Sequence, residues 1–172
     1  MNNVDELGRN IFTLFEENAQ KRNITYQYQS ELNGSLLPVD KTYMEMIVTN
    51  LLSNAFKFTP DGGAITLSVW QKENSFGFTI KDTGIGIPAE KLSRIFERFY
   101  QIRNSQQNPK GGTGIGLHLT RSLVELHHGI IYVENNKEQP GCRFIIRLPL
   151  GNKHLRPEEV DNNEQKITVA VP

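Results

Sequence analysis

The chain has 172 residues, enough for one domain with a sizeable core. Its 19 basic and 19 acidic side chains cancel, so no general pull toward nucleic acid or an anionic membrane surface is expected. A single cysteine, Cys142, excludes an internal disulfide and suits a reducing compartment. No run of about 18 apolar residues offers a bilayer span, the polar and acidic first residues carry no signal-peptide pattern, and no internal repeat is visible.

Val4, Leu7, Ile11, Leu14, Phe15 and Ala19 recur at helical spacing and predict an amphipathic helix over residues 4–22. Ile24 to Gln29 alternates with aromatic and β-branched residues and reads as a strand; Asn33-Gly34 marks a turn before a short strand, Leu36 to Val39. Asp40 is an N-cap for a second helix reaching about Phe58. At roughly 100° per residue, Met44, Val48, Leu51, Leu52 and Ala55 form its apolar arc, and Asn50, Asn54 and Lys57 form a polar arc beside it. Residues 59–63 make a turn. The alternating runs Ile65, Leu67, Val69 and Phe76, Phe78, Ile80, joined at Glu73-Asn74, predict an antiparallel hairpin. Pro88 opens a short helix. Residues 103–112 are polar, rich in loop formers and expected to be mobile. A helix follows Gly116 to about His128, with Ile115, Leu119, Leu123 and Leu126 on its core side, and Gly129 ends it. Strands at Ile131–Val133 and Phe144–Leu148 flank a Pro140-Gly141 turn, and residues 151–172 read as a polar linker or tail whose Ile167–Val171 run could pair with a sheet edge.

Three stretches carry chemistry. Side chains two apart in a strand share a face, so Asp82 continues the apolar face of Phe76, Phe78 and Ile80. A carboxylate aimed at a core is costly unless hydrogen-bonded. With Gly84 and Gly86 allowing close approach of a ligand, this acceptor-only group suits an N–H donor such as the exocyclic amine of adenine, and would repel the carbonyl of guanine. Alone, the stretch also reads as an Asx-type turn closing a hairpin. The run Gly112-Thr113-Gly114-Ile115-Gly116-Leu117 sits where a loop becomes a helix, and free N–H groups there suit phosphate. It is not a Walker A loop, since Lys110 precedes the glycines, and its spacing is not the dinucleotide fingerprint. On the second helix, Asn54 offers an amide oxygen of the hard type that Mg²⁺ accepts, Asn50 can support the same ion or its waters, and Lys57 can reach a phosphate. A solvated helix face is the bland alternative, and Lys57 by itself reads as an ordinary surface lysine.

Together these residues carry a resemblance. Asn50-Leu-Leu-Ser-Asn54-Ala-Phe-Lys57-Phe58-Thr-Pro resembles the N box of sensor histidine kinases, and Asp82-Thr-Gly84-Ile-Gly86-Ile-Pro their G1 box. Phe96-Glu-Arg-Phe99-Tyr resembles the F box, and Gly112-Thr-Gly114-Ile-Gly116-Leu the G2 box, all in the family's order. The match covers about residues 4–150, within a wider group of adenine-nucleotide-binding proteins that includes gyrase, Hsp90 and MutL. It implies an α/β (α+β) two-layer sandwich of the Bergerat type, with a mixed, largely antiparallel sheet covered on one face by about three helices. Residues 1–150 would be the ATP-binding catalytic domain and 151–172 a linker or tail similar to those leading to a receiver domain in hybrid kinases.

The resemblance also implies roles. ATP would lie between the Asn-bearing helix and a lid over residues 84–112. Asp82 would take the adenine amine, Thr83 would help through water, and Gly84, Gly86 and Ile87 would complete that loop. Phe58 would stand near the base or ribose. Asn54, assisted by Asn50, would ligate Mg²⁺. Lys57 and the backbone of Gly112, Thr113, Gly114, Ile115, Gly116 and Leu117 would hold phosphates, and Phe96 and Phe99 would anchor the lid. The family often has an arginine after its Phe-Tyr pair; Gln101 stands here, leaving Arg98 or Arg103 as possible γ-phosphate contacts. Gly141-Cys142-Arg143-Phe144 replaces the family's usual small hydroxyl residues.

Hydrolytic relatives such as gyrase carry a glutamate one turn before the metal-binding asparagine, and the amide of Asn50 cannot act as that base. The expected activity is therefore transfer of the γ-phosphate to a histidine, with slow hydrolysis. His118, His127, His128 and His154 lack the acidic residue that follows the family's phosphoacceptor. The expected partners are a histidine-bearing dimerisation domain outside this chain and a response-regulator receiver domain. Nucleic acid and membrane contact by the domain are not expected. A monomeric domain in the cytoplasm, as part of a membrane-anchored sensor, is. A gyrase- or Hsp90-like ATP hydrolase and an interaction module without turnover are the alternatives.

Overall fold

The computed structural model describes residues 1–100 and 116–151. The expectations for Gln101, Arg103, the loop to residue 112, Gly112, Thr113, Gly114, Ile115, His154 and the tail beyond residue 151 lie outside the described residues.

The elements run β1 (Asn2–Asn3), α1 (Val4–Thr13), α2 (Glu16–Lys21), β2 (Thr25–Ser30), β3 (Leu36–Leu37), α3 (Lys41–Phe58), β4 (Ala64–Lys72), β5 (Ser75–Asp82), a 3₁₀ turn (Ala89–Lys91), α4 (Gly116–Leu126), β6 (Ile130–Asn135) and β7 (Cys142–Pro149). Among the described residues, five strands form a mixed sheet in the order β2-β4-β5-β7-β6, with only β2 and β4 parallel. Alternation decides which side is buried. Ile65, Leu67 and Val69 of β4, Phe76, Phe78 and Ile80 of β5, and Ile146 and Leu148 of β7 face the core and are all but solvent-free. The register pairs Ile80 with Leu67 and with Phe144, so the inward rows run straight across the sheet.

Helices α1, α3 and α4 pack against β4, β5 and β6 respectively. The apolar arc of α3 is buried as its periodicity predicts, with Ile47 and Phe56 added. Asp40 caps the helix, its Oδ1 accepting the Tyr43 N–H at 2.9 Å. At the other end Arg22 donates to the carbonyls of Phe56 and Thr59 and pairs with Asp61 at 2.7 Å. Those carbonyls are orphans of the last helical turn, and a guanidinium satisfies them well.

Two sequence expectations are corrected. The helix over residues 4–22 is two helices. Leu14 and Phe15 donate to Ile11 and Phe12, three residues back, and this tighter turn redirects the chain so that Phe15 stacks on Phe56. Leu14 is left in solvent. On α4, Leu119 and Leu126 are 42% and 59% exposed, and the core side carries Thr120, Leu123 and Val124. Thr120 is buried because its hydroxyl is satisfied, donating to the Gly116 carbonyl at 2.8 Å. Phe99 is 62% exposed with φ of 62°, and Phe96 is buried edge-on against Phe144. Among the described residues no helix is long and apolar enough to cross a membrane.

Candidate functional site

Asp82 is the last residue of β5 and only 4% exposed. Its Oδ1 accepts the backbone N–H of Gly84 at 2.8 Å and, more weakly, that of Cys142 at 3.4 Å. The Cys142 thiol lies 3.5 Å from Oδ2. Burial raises the carboxyl above its usual range, and the three donors only partly offset this. The same burial, with the charge of Asp82 beside it, raises the Cys142 thiol, so that side chain remains a protonated, weak donor.

The turn after Asp82 is fixed by close backbone packing. A Cβ on Gly84 would stand 2.6 Å from the Phe58 carbonyl, so glycine lets the end of α3 touch this turn. A Cβ on Gly141, which has φ of 105°, would collide with the Asp82 carbonyl. Thr83 closes the end of the β4–β5 pair: its N–H donates to the Ala64 carbonyl, and its hydroxyl accepts the Ala64 N–H at 2.9 Å. Gly86 has φ of 72°, and Ile87 follows half-buried.

The polar arc of α3 borders this turn. Phe58 is 37% exposed, and the Lys57 ammonium lies 5.3 Å from its ring centre. Asn54 is half-buried. One turn earlier, Asn50 Nδ2 donates to the Gly116 carbonyl and the Thr120 hydroxyl, both at 2.6 Å. Both amide hydrogens are thereby engaged, and Oδ1 is the polar atom left to Asn50. A Cβ on Gly116 would stand 2.8 Å from that Oδ1. The structure therefore joins the middle of α3 to the start of α4, and the end of α3 to the turn after Asp82. Leu117 is half-buried against the core. Arg98 is exposed, its guanidinium stacked 4.9 Å from the Phe99 ring centre.

The sequence reading missed Thr120, Arg22 and the pair Asn135-Asn136. Asn135 grips the backbone of Ile87 on both sides, accepting its N–H at 3.0 Å and donating to its carbonyl at 2.6 Å. Asn136 Nδ2 donates to the Asp82 carbonyl at 2.7 Å and to that of Pro140 at 3.1 Å. Two asparagines before a Pro-Gly turn look like ordinary turn residues, so their reach was hidden. His118 Nδ1 approaches the Phe96 carbonyl at 3.3 Å and His127 Nδ1 the Leu123 carbonyl at 2.8 Å, so both rings make contacts within the fold.

Residues 39–152 match the family described as "Histidine kinase-, DNA gyrase B-, and HSP90-like ATPase". The chain is 37% identical over 161 residues to Histidine kinase P4 of Formosa agariphila, a match covering 92% of this chain and 12% of that protein. The catalytic domain of histidine kinase ThkA, in a nucleotide-free form, superposes with a TM-score of 0.76 at 29% identity, covering 87% of this chain and 93% of that one. Full-length ShkA in complex with AMPPNP superposes with a TM-score of 0.73 at 25% identity, covering 86% of this chain and 30% of that one. The chain thus spans a small part of the length of the full kinases it matches. With its mixed sheet, its four sequence boxes and these relatives, the chain belongs to the histidine kinase-, DNA gyrase B- and HSP90-like ATPase family, as an ATP-binding domain of the sensor histidine kinase type.

Proposed function

We propose that this domain binds Mg·ATP between α3 and the segment after Asp82, and presents the γ-phosphate to a histidine on a separate helical dimerisation domain. The observation that carries the reading is the buried Asp82 carboxylate. Among the described residues its Oδ1 is taken by backbone N–H groups while Oδ2 has only a thiol, which leaves Oδ2 short of a strong donor. The exocyclic amine of adenine supplies such a donor, and it would favour the ionised form that burial disfavours. Thr83, Gly84, Gly86 and Ile87 form the backbone floor beside it, and Phe58 borders the base or ribose.

The α3 arc fits the metal. Amide oxygens are hard ligands of the kind Mg²⁺ accepts, and one or two protein ligands suffice when phosphates and waters complete the shell. Asn54, with Asn50 Oδ1 in support, would hold the ion, which when bound neutralises phosphate charge. Lys57 contributes a point charge toward the phosphates. The Asn50 contact to Gly116 ties this arc to the start of α4, where Gly116 and Leu117, with Gly112, Thr113, Gly114 and Ile115 before them, would hold the triphosphate. Arg98 or Arg103 would supply charge at the γ-phosphate.

Asn50 has no lone pair basic enough to take a proton from water, so the domain should wait for an external nucleophile. The reading extends to the parent protein: a cytoplasmic catalytic part, monomeric when isolated, that relays phosphate through the histidine domain to a response-regulator receiver. The test is incubation with γ-labelled ATP, with and without the parent kinase's dimerisation domain supplied as a separate chain. Label on that histidine, with little free phosphate released by the catalytic domain alone, is expected. Rapid phosphate release without any acceptor would replace this reading with that of a gyrase- or Hsp90-type hydrolase.

A further inference from the structure

We infer that Asn135 and Asn136 are positioning residues for the adenine base, clamping both ends of the Asp82–Ile87 turn so that Asp82 meets the exocyclic amine; this rests on the nucleotide reading above. The geometry is specific. The β5–β7 ladder ends at the pair Lys81–Arg143, so the Asp82 carbonyl has left the regular ladder. Asn136 Nδ2 takes that carbonyl at 2.7 Å, from 54 residues away in sequence. Five residues beyond Asp82, Asn135 makes two reciprocal bonds to the Ile87 backbone. The turn is thus held at its first and last residues by adjacent side chains of one strand end, while Ile85 between them points into solvent.

Within their own hairpin the two side chains make one bond, from Asn136 Nδ2 to the Pro140 carbonyl at 3.1 Å, longer than the 2.7 Å bond to Asp82. That turn is closed by the backbone bond from the Asn136 N–H to the Gly141 carbonyl, which any residue could make. Nor is the arrangement free of cost, since Asn136 Oδ1 is buried with no partner among the described residues. A buried acceptor left unpaired calls for a compensating use of the side chain, and the grip on Asp82 is that use. Gly86 lies inside the clamp: a Cβ there would stand 3.2 Å from Asn135 Oδ1. Ile87 also leads into Pro88 and the 3₁₀ turn, so the clamp fixes where the chain leaves the sheet.

The test compares ATP with purine riboside triphosphate, which lacks the exocyclic amine, by calorimetric titration of the chain and of the N135A/N136A double variant. The wild-type chain should prefer ATP. The double variant should lose about tenfold in ATP affinity, the worth of one or two neutral hydrogen bonds, and much less for the amine-free nucleotide, so the preference narrows. A parallel melting curve separates this from general damage. Equal losses on both nucleotides, or none on either, would overturn the inference. Asn135→Ala removes the two Ile87 bonds alone; it should fall between the wild type and the double variant, and serves alone if the double variant does not fold. A wild-type chain that binds neither nucleotide would overturn the nucleotide reading and this inference with it. Wild-type preference for ATP that the variants retain would overturn the inference only.

Discussion

Asp82 holds a charge in a nearly solvent-free place, and burial raises its carboxyl above the ordinary range. The sign of the consequence follows from linkage. The native state binds this proton more tightly than the unfolded state. Stability from this group is therefore fully present below the unfolded pKa and is lost as pH rises through the raised native value. The proposed adenine binding would run the other way, because the ionised carboxylate is the stronger acceptor for the amine. ATP affinity should begin to fall at a higher pH, on acidification, than an ordinary aspartate would cause. Asp82→Asn keeps an oxygen for the Gly84 and Cys142 N–H groups but turns a donor toward the amine. It should melt at or above the wild-type temperature near neutral pH while losing ATP, and titrations over a pH series check both halves. Asn54→Ala should cut affinity about tenfold or more when Mg²⁺ is present, and much less in chelator; an equal loss under both conditions would assign Asn54 to the base or sugar instead.

Helix α3 organises the site because three of its levels are tied down separately. Asp40 caps the start, Asn50 binds α4 in the middle, and Arg22 satisfies the last carbonyls. The Asp61 partner of Arg22 is largely exposed, so that ion pair contributes little by itself. The two carbonyl bonds matter more, because removing them strands acceptors near the Gly84 turn. Arg22→Met should lower stability by about 1–3 kcal/mol and weaken ATP binding, whereas Asp61→Ala should leave both nearly unchanged; thermal melts and titration of the two variants decide. The phase of α3 was legible in the sequence because a helix with one buried face obeys a fixed period, and the same holds for the alternating strands β4 and β5. The phase of α4 was not. Thr120 took a core position by bonding Gly116 and Asn50, and displaced Leu119 to the outside. The break at Leu14 was hidden for a related reason, since the packing of Phe15 on Phe56 is set by another element.

Over the whole molecule, the site is a junction of distant segments: the end of β5, the polar arc of α3, the start of α4 and the end of β6. The boxes could be read in order from the sequence because each pairs unusual residues with a loop or helix end. The clamp from Asn135 and Asn136 could not, because nothing local distinguishes a turn asparagine from one reaching across the sheet. Under the proposed function, the missing base at Asn50 and the lack of an acidic residue after any histidine predict that phosphate leaves for another domain rather than for water. Light scattering should find the isolated domain monomeric, and a stable dimer would contradict that. The most direct test of the site is calorimetric titration with a non-hydrolysable ATP analogue, with and without Mg²⁺, on the chain and on Asp82→Asn. Binding that strengthens with Mg²⁺ and is lost in a folded Asp82→Asn variant is the expected result. Binding that survives the substitution unchanged, or no binding by the wild-type chain, would contradict the assignment of Asp82 as the adenine acceptor.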